Sequence, residues 1–229
     1  MPAAAAEIAV MLPVVATEQR PLVRPASLRR DQEIPQFRWA RIDGSDRWTM
    51  AMLTALATHG RALEQMVPSD IASWCPAYPE NDAQQRRYFW GGLISALTKH
   101  ESTYRPSVAG DGGKSIGLMQ IRPGTARAYG CAARSSQALR APGANLACAV
   151  RILAQTVPRD GVVSAGMRGA AADWGPFHQR RKREDMRAWM LQQPYCQKPV
   201  DLSAPRPRAR DLSRFAERRP TPRPVQNAL

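Results

Sequence analysis

One helix-period stripe constrains this chain more than any other feature. With Trp90 set at zero on a wheel of about 100° per residue, Ile94 falls near about 40°, Leu97 near about 340° and Glu101 near about 20°. The stretch from Gln84 to Glu101 therefore reads as a long helix with one apolar face, and that face needs a core to lie against. Its final position is a carboxylate on the buried side, where a solvated glutamate would stand opposite, with Lys99. Burial disfavours the charged form, so the pKa of Glu101 is expected to rise, toward about 6. A carboxyl that keeps its proton near neutral pH is suited to general acid catalysis.

The flanking segments are helical too. Asp46 to Met66 carries Trp48, Met52, Leu56 and Leu63 near helix spacing. Pro123 opens a short helix ending near Gly130, and Leu146, Val150 and Leu153 mark another from about Gly143. Val162 to Asp173 and Gln179 to Gln193 read as two more. Strand alternation is nearly absent. The expected fold is mainly α, with at most one small β hairpin near residues 108–122.

The four cysteines, Cys75, Cys131, Cys148 and Cys196, have neither C-x-x-C nor zinc-finger spacing. An even number scattered along the chain fits two disulfides formed in an oxidising compartment. Three pairings exist, and the one expected joins Cys131 to Cys148 and Cys75 to Cys196. His59, His100 and His178 lie far apart, and no H-E-x-x-H occurs, so neither metal nor cofactor is expected. His100, about 100° from Glu101 on the helix, is read as a surface residue.

Residues 1–42 are read as a signal-like segment and linker. Ile8 to Ala16 is apolar and ends in Val14-Val15-Ala16, which resembles a cleavage site, but no Lys or Arg precedes it. Residues 43–199 make the folded domain. Residues 200–229, rich in Pro and Arg, are expected to be a disordered tail. No run reaches the roughly 18 apolar residues of a membrane helix. The 33 basic and 19 acidic residues give a net charge of +14, which favours an anionic partner. Nucleic acid is one such partner, but no recognition-helix or base-stacking pattern accompanies the charge. Arg180, Arg181, Lys182 and Arg183 form a local basic cluster inside the domain.

Glu101-Ser102, then Gly117-Leu118-Met119-Gln120, then Pro123-x-Thr125-Ala126 resemble the lytic transglycosylases of the soluble-lytic-transglycosylase (SLT) type, whose fold is related to goose-type lysozyme. The resemblance is dense from about Leu93 to Gly130 and looser through Asn145-Leu146. It implies a lysozyme-like α-helical domain acting on peptidoglycan in the periplasm or another extracytoplasmic space. Glu101 would protonate the oxygen of the β-1,4 bond between N-acetylmuramic acid and N-acetylglucosamine. It would then accept the proton of the muramoyl C6 hydroxyl as the 1,6-anhydro ring closes, so one carboxyl serves as acid and then base. Ser102, Gly117, Met119 and Gln120 carry over as residues around the sugar, and Asn145 as one that fixes local structure. Such domains serve wall turnover, and also open the wall for secretion or conjugation assemblies.

The match departs at Ala171-Ala172-Asp173-Trp174-Gly175-Pro176, where the family has Ala-Tyr-Asn-Ala-Gly-Pro. The tyrosine that positions the catalytic glutamate is missing there. Trp174 is expected to fill the space, and Tyr104 or Tyr129 to supply a hydroxyl. Asp173 across the cleft would instead hold a water and give a hydrolytic muramidase, with Asp111 a weaker candidate for that part. A non-catalytic wall-binding module is the third reading.

Overall fold

The computed structural model describes residues 34–198, and residues 36–198 belong to one unit. The signal-like segment and the basic tail lie outside the described residues. At the centre is α3 (Ala83–Glu101). Asp82 caps it: its carboxylate accepts from the Gln85 amide at 2.8 Å, and the Gln85 side chain accepts from the Asp82 amide at 3.2 Å. Every residue from Tyr88 to Thr98 is buried, so the helix is wrapped on all sides. Two glycines permit this. A Cβ on Gly91 would stand 2.8 Å from Met52 Cε, and one on Gly92 would stand 2.2 Å from the Tyr195 hydroxyl. Neighbouring segments therefore approach the α3 backbone directly.

Around α3 pack α1 (Ser45–Ala57), α2 (Arg61–Gln65) and α7 (Arg180–Leu191), while α6 (Pro142–Asp160) lies against α1 and α2. The single helix expected over Asp46–Met66 is broken at Thr58–Gly60. A side chain at Gly60 would meet Val150 Cγ1 at 2.7 Å, so the bare backbone lets α6 pass. Two short helices, α4 (Pro123–Ala128) and α5 (Ser136–Leu139), lie between the hairpin and α6. The hairpin pairs β1 (Ala109–Gly110) with β2 (Ser115–Ile116), Ala109 opposite Ile116, and Ile116 bridges on to Ile121.

The helix expected over Val162–Asp173 is not α-helical. It forms two 3₁₀ turns, Ala165–Met167 and Gly169–Ala172. Gly161, Gly166, Met167 and Gly169 all have positive φ, which an α-helix cannot hold. The Asp70 carboxylate takes the place of helical carbonyls, accepting from the amides of Val163, Ser164 and Ala165 at 2.6 to 3.0 Å. The folded unit also starts earlier than residue 43. Phe37 and Trp39, read as linker, are buried, and Trp39 stacks edge-on to Trp48. These rings carry no periodic signal, because the chain there is turn rather than helix.

Disulfides join Cys75 to Cys196 and Cys131 to Cys148, the pairing expected from the sequence. The first closes the C-terminal end of the unit against the loop before α3. The second pins the turn after α4 to α6. Among the described residues no helix is long and apolar enough to cross a membrane.

Candidate active site

Helix α3 ends by delivering Glu101 to the floor of a cleft of about 510 Å³. Its lining includes Glu101, Asp111, Gln120, Arg122, Asp173 and Trp174. The Glu101 carboxyl sits in the last turn, where the helix carbonyls point outward and disfavour a negative charge. Burial raises its pKa from 4.5 to about 7, with Lys182 acting weakly in the opposite direction. No hydrogen bond from another described residue stabilises its ionised form. The structure thus gives the carboxyl the desolvated environment that the helical wheel implied.

Asp173 lines the same cleft and is half-buried. Burial moves its carboxyl upward, while the Tyr129 hydroxyl, donating at 3.0 Å, pulls the other way. Tyr129 is therefore engaged by Asp173 and not by Glu101. Tyr104 does not line the cleft either. No tyrosine stands in for the missing one at Glu101 among the described residues. Asp111 is paired with Arg122 across the hairpin.

Several residues expected at the sugar are elsewhere. Met119 is fully buried: its sulfur accepts from the Thr98 hydroxyl at 3.1 Å, so it is core and not cleft wall. Ser102 is buried at the helix end, its hydroxyl turned to the Thr98 carbonyl at 3.4 Å. Gly117, at φ +79, admits the Asn145 amide and the Leu139 carbonyl, which a Cβ would meet at 2.6 and 2.5 Å. Its close approach is thus to α5 and α6, not to the cleft. Gln120 does line the cleft, at φ +48, but its amide is spent on the hairpin. It accepts from the Gly110 amide at 3.1 Å and donates to the Gly117 carbonyl at 2.8 Å. Trp174 is cleft wall; its indole N–H donates to the Met119 carbonyl at 3.0 Å.

Asn145 has the structural part read for it. Its side chain accepts from the Met119 amide and donates to the carbonyls of Ile116 and Leu139, each at 2.9 Å. It fastens the hairpin that carries Gln120 to α6. His100 is not a free surface residue, since its Nε2 lies 2.6 Å from Asp185 on α7. Asp185 also receives Arg38 at 2.7 Å and Lys99 at 3.0 Å. Arg38 and Asp185 are 147 positions apart, and no local pattern announces such a pair. Among the described residues no group of three or more His, Cys, Asp or Glu side chains is placed to hold a metal.

The arrangement is thus one desolvated glutamic acid at a helix end inside an α-helical cleft, a placement suited to general acid catalysis. Residues 79–183 match the model of the Transglycosylase SLT domain. Among solved structures, a Glu→Gln mutant of Bd0314 DslA superposes with a TM-score of 0.65 at 26% identity, over 70% of this chain and 97% of that one. The wild-type form 2 of the same protein gives 0.64 at 26% identity over the same shares. No curated protein sequence gives a match to the chain. Over residues 79–183 the chain is thus similar to transglycosylase SLT domains, and it shares its mainly α-helical fold with DslA.

Proposed function

We propose that the protein cleaves the β-1,4 bond between N-acetylmuramic acid and N-acetylglucosamine and leaves 1,6-anhydromuramyl ends, with Glu101 as the single acid–base catalyst. The observation that carries this reading is the Glu101 carboxyl itself: it lines the cleft, no hydrogen bond holds it ionised, and burial raises it to about 7. In the protonated form it gives its proton to the glycosidic oxygen, which otherwise leaves poorly. The substrate's N-acetyl group assists the oxocarbenium-like centre. The resulting carboxylate, costly to keep buried, takes the proton of the C6 hydroxyl, which closes on C1. The atoms balance without water, and the acid is regenerated.

Within this reading Asp173 and Trp174 form the wall facing the strand, and Gln120 shapes the floor through the hairpin it braces. Two disulfides favour an extracytoplasmic place of work. The partner is the glycan strand, with a cell-envelope or secretion assembly as a further one. The folded domain spans about residues 36–198.

A digest of purified sacculi by the wild type and by Glu101→Gln, with products separated and weighed, tests the proposal. Anhydromuramyl ends, and a loss of about a hundredfold or more in the mutant, are expected. Reducing ends would instead favour the hydrolytic reading, for which the observation is Asp173 in the same cleft as Glu101. Binding without product from either protein would leave a wall-binding module. Equal activity in the mutant would remove Glu101 from the mechanism.

A further inference from the structure

A second cavity of about 360 Å³ lies where the end of α3 meets the start of α7. Lys99 and His100 line it from α3; Gln179, Arg181, Lys182 and Asp185 line it from α7 and its cap. Lys99 and His100 are the two residues before Glu101, and the Lys182 charge acts on Glu101. The cavity therefore adjoins the catalytic cleft. Its only acid, Asp185, is already held by Arg38, Lys99 and His100, and lies well below the usual carboxylate range, chiefly because of Arg38. The next acid on this turn, Glu184, is engaged by Arg183 at 3.6 Å and Arg187 at 3.1 Å. Burial pulls the His100 pKa down, so the ring adds little charge of its own near neutral pH. Arg181 and Lys182 have no ion-pair partner among the described residues. Two cations without an ion-pair partner among the described residues thus line a cavity near Glu101.

We propose that this cavity is a carboxylate subsite, in which Arg181 and Lys182 receive a carboxylate of the peptide stem next to the bond that Glu101 protonates. This rests on the peptidoglycan reading above and adds to it the part of the substrate that is recognised. Two features favour a stem carboxylate over the sugar's own lactyl group. In intact strands the lactyl carbonyl is tied up as an amide, and the cations stand to one side of the cleft, not on its floor. A carboxylate held there also offsets the field of Lys182 at Glu101, so a bound stem helps keep the acid protonated.

The test uses full-length protein carrying Glu101→Gln, which leaves the strands uncut, in a sedimentation assay with two kinds of sacculi. One is native; in the other the stem carboxylates are blocked as neutral amides by carbodiimide coupling. Native sacculi are expected to bind about tenfold more tightly or better at low salt, the range for charge-assisted hydrogen bonds. Adding Arg181→Gln and Lys182→Gln is expected to shrink that ratio to about twofold, while Arg181→Lys with Lys182→Arg keeps most of it. Arg47→Gln with Arg61→Gln, which removes equal charge from α1 and α2, is the control and should leave the ratio nearly intact.

Equal binding to both kinds of sacculi would overturn the subsite. So would an undiminished ratio in the neutralised variant, or a control that lowers the ratio as much, since the charge would then be read by the protein as a whole. Millimolar acetate that abolished the ratio would point to a general anion site and also count against stem recognition. Because the assay reads binding alone, a wild type that makes no anhydro ends would defeat the lyase reading without touching this result.

Discussion

Replacing Glu101 by Gln should make the protein more stable, and only above about pH 5. Folding moves the carboxyl from its ordinary 4.5 to about 7. Between these values the native state holds a proton that the unfolded state has lost, so wild-type stability falls as pH rises through this window. Above pH 7 both states are ionised and the full penalty is in place; below pH 4 both are protonated and it vanishes. At about 1.4 kcal/mol per pH unit, and allowing for partial access to solvent, the penalty at pH 8 is about 2 to 3 kcal/mol. Glutamine imitates the protonated acid in shape and never ionises. The mutant should therefore match the wild type at pH 4 and exceed it by about 2 to 3 kcal/mol at pH 8. For a unit of this size the gain corresponds to about 5 to 10 °C in Tm. Thermal unfolding of both oxidised proteins, followed by circular dichroism at intervals from pH 4 to 8, supplies the comparison. The other acids titrate alike in the two proteins and cancel in the difference. Parallel profiles would refute the reasoning, because Glu101 would then ionise as an ordinary surface glutamate.

Three more expectations follow from the same geometry. Release of anhydro ends should fall as pH rises through about 7, where Glu101 loses its proton, and Lys182→Gln should move that fall to higher pH, since the lysine charge pulls Glu101 downward. Gly117→Ala should cost at least about 2 to 3 kcal/mol in urea unfolding, because φ +79 strains any side chain and the Cβ would meet a backbone carbonyl at 2.5 Å; a loss under 1 kcal/mol would mean that the hairpin yields easily. Removing Cys75–Cys196, which spans 121 positions, should cost about 4 to 5 kcal/mol, against about 3 for Cys131–Cys148 at 17 positions, in urea titrations of the paired Cys→Ala variants. Equal losses would contradict loop closure as the cause.

What the sequence made legible was local. The α3 stripe exposed both the central helix and its buried carboxyl, because residues spaced by three and four share a face whatever the helix packs against. Pro123 and Gly130 bracketed α4 for equally local reasons. Residues 162–173 misled because small and apolar residues there look helical, while glycines at positive φ and the distant Asp70 carboxylate impose another path. Met119 and Gly117 misled in the opposite way: their place beside Gln120 marks them as cleft residues, yet one faces Thr98 and the other Asn145. The Asp185 cluster draws on Arg38, Lys99 and His100, and only a finished fold brings those together.

Both backbone polar groups of Met119 are held, its N–H by Asn145 of α6 and its carbonyl by the Trp174 indole. These two buried bonds couple the hairpin, the long helix and the tryptophan wall, and a jaw hinged at the hairpin would have to break both before it swung. The floor of the cleft is accordingly tied to the core and not free to swing with the hairpin. Amide hydrogen exchange at Met119 should then proceed only through global unfolding, as slowly as at the centre of α3.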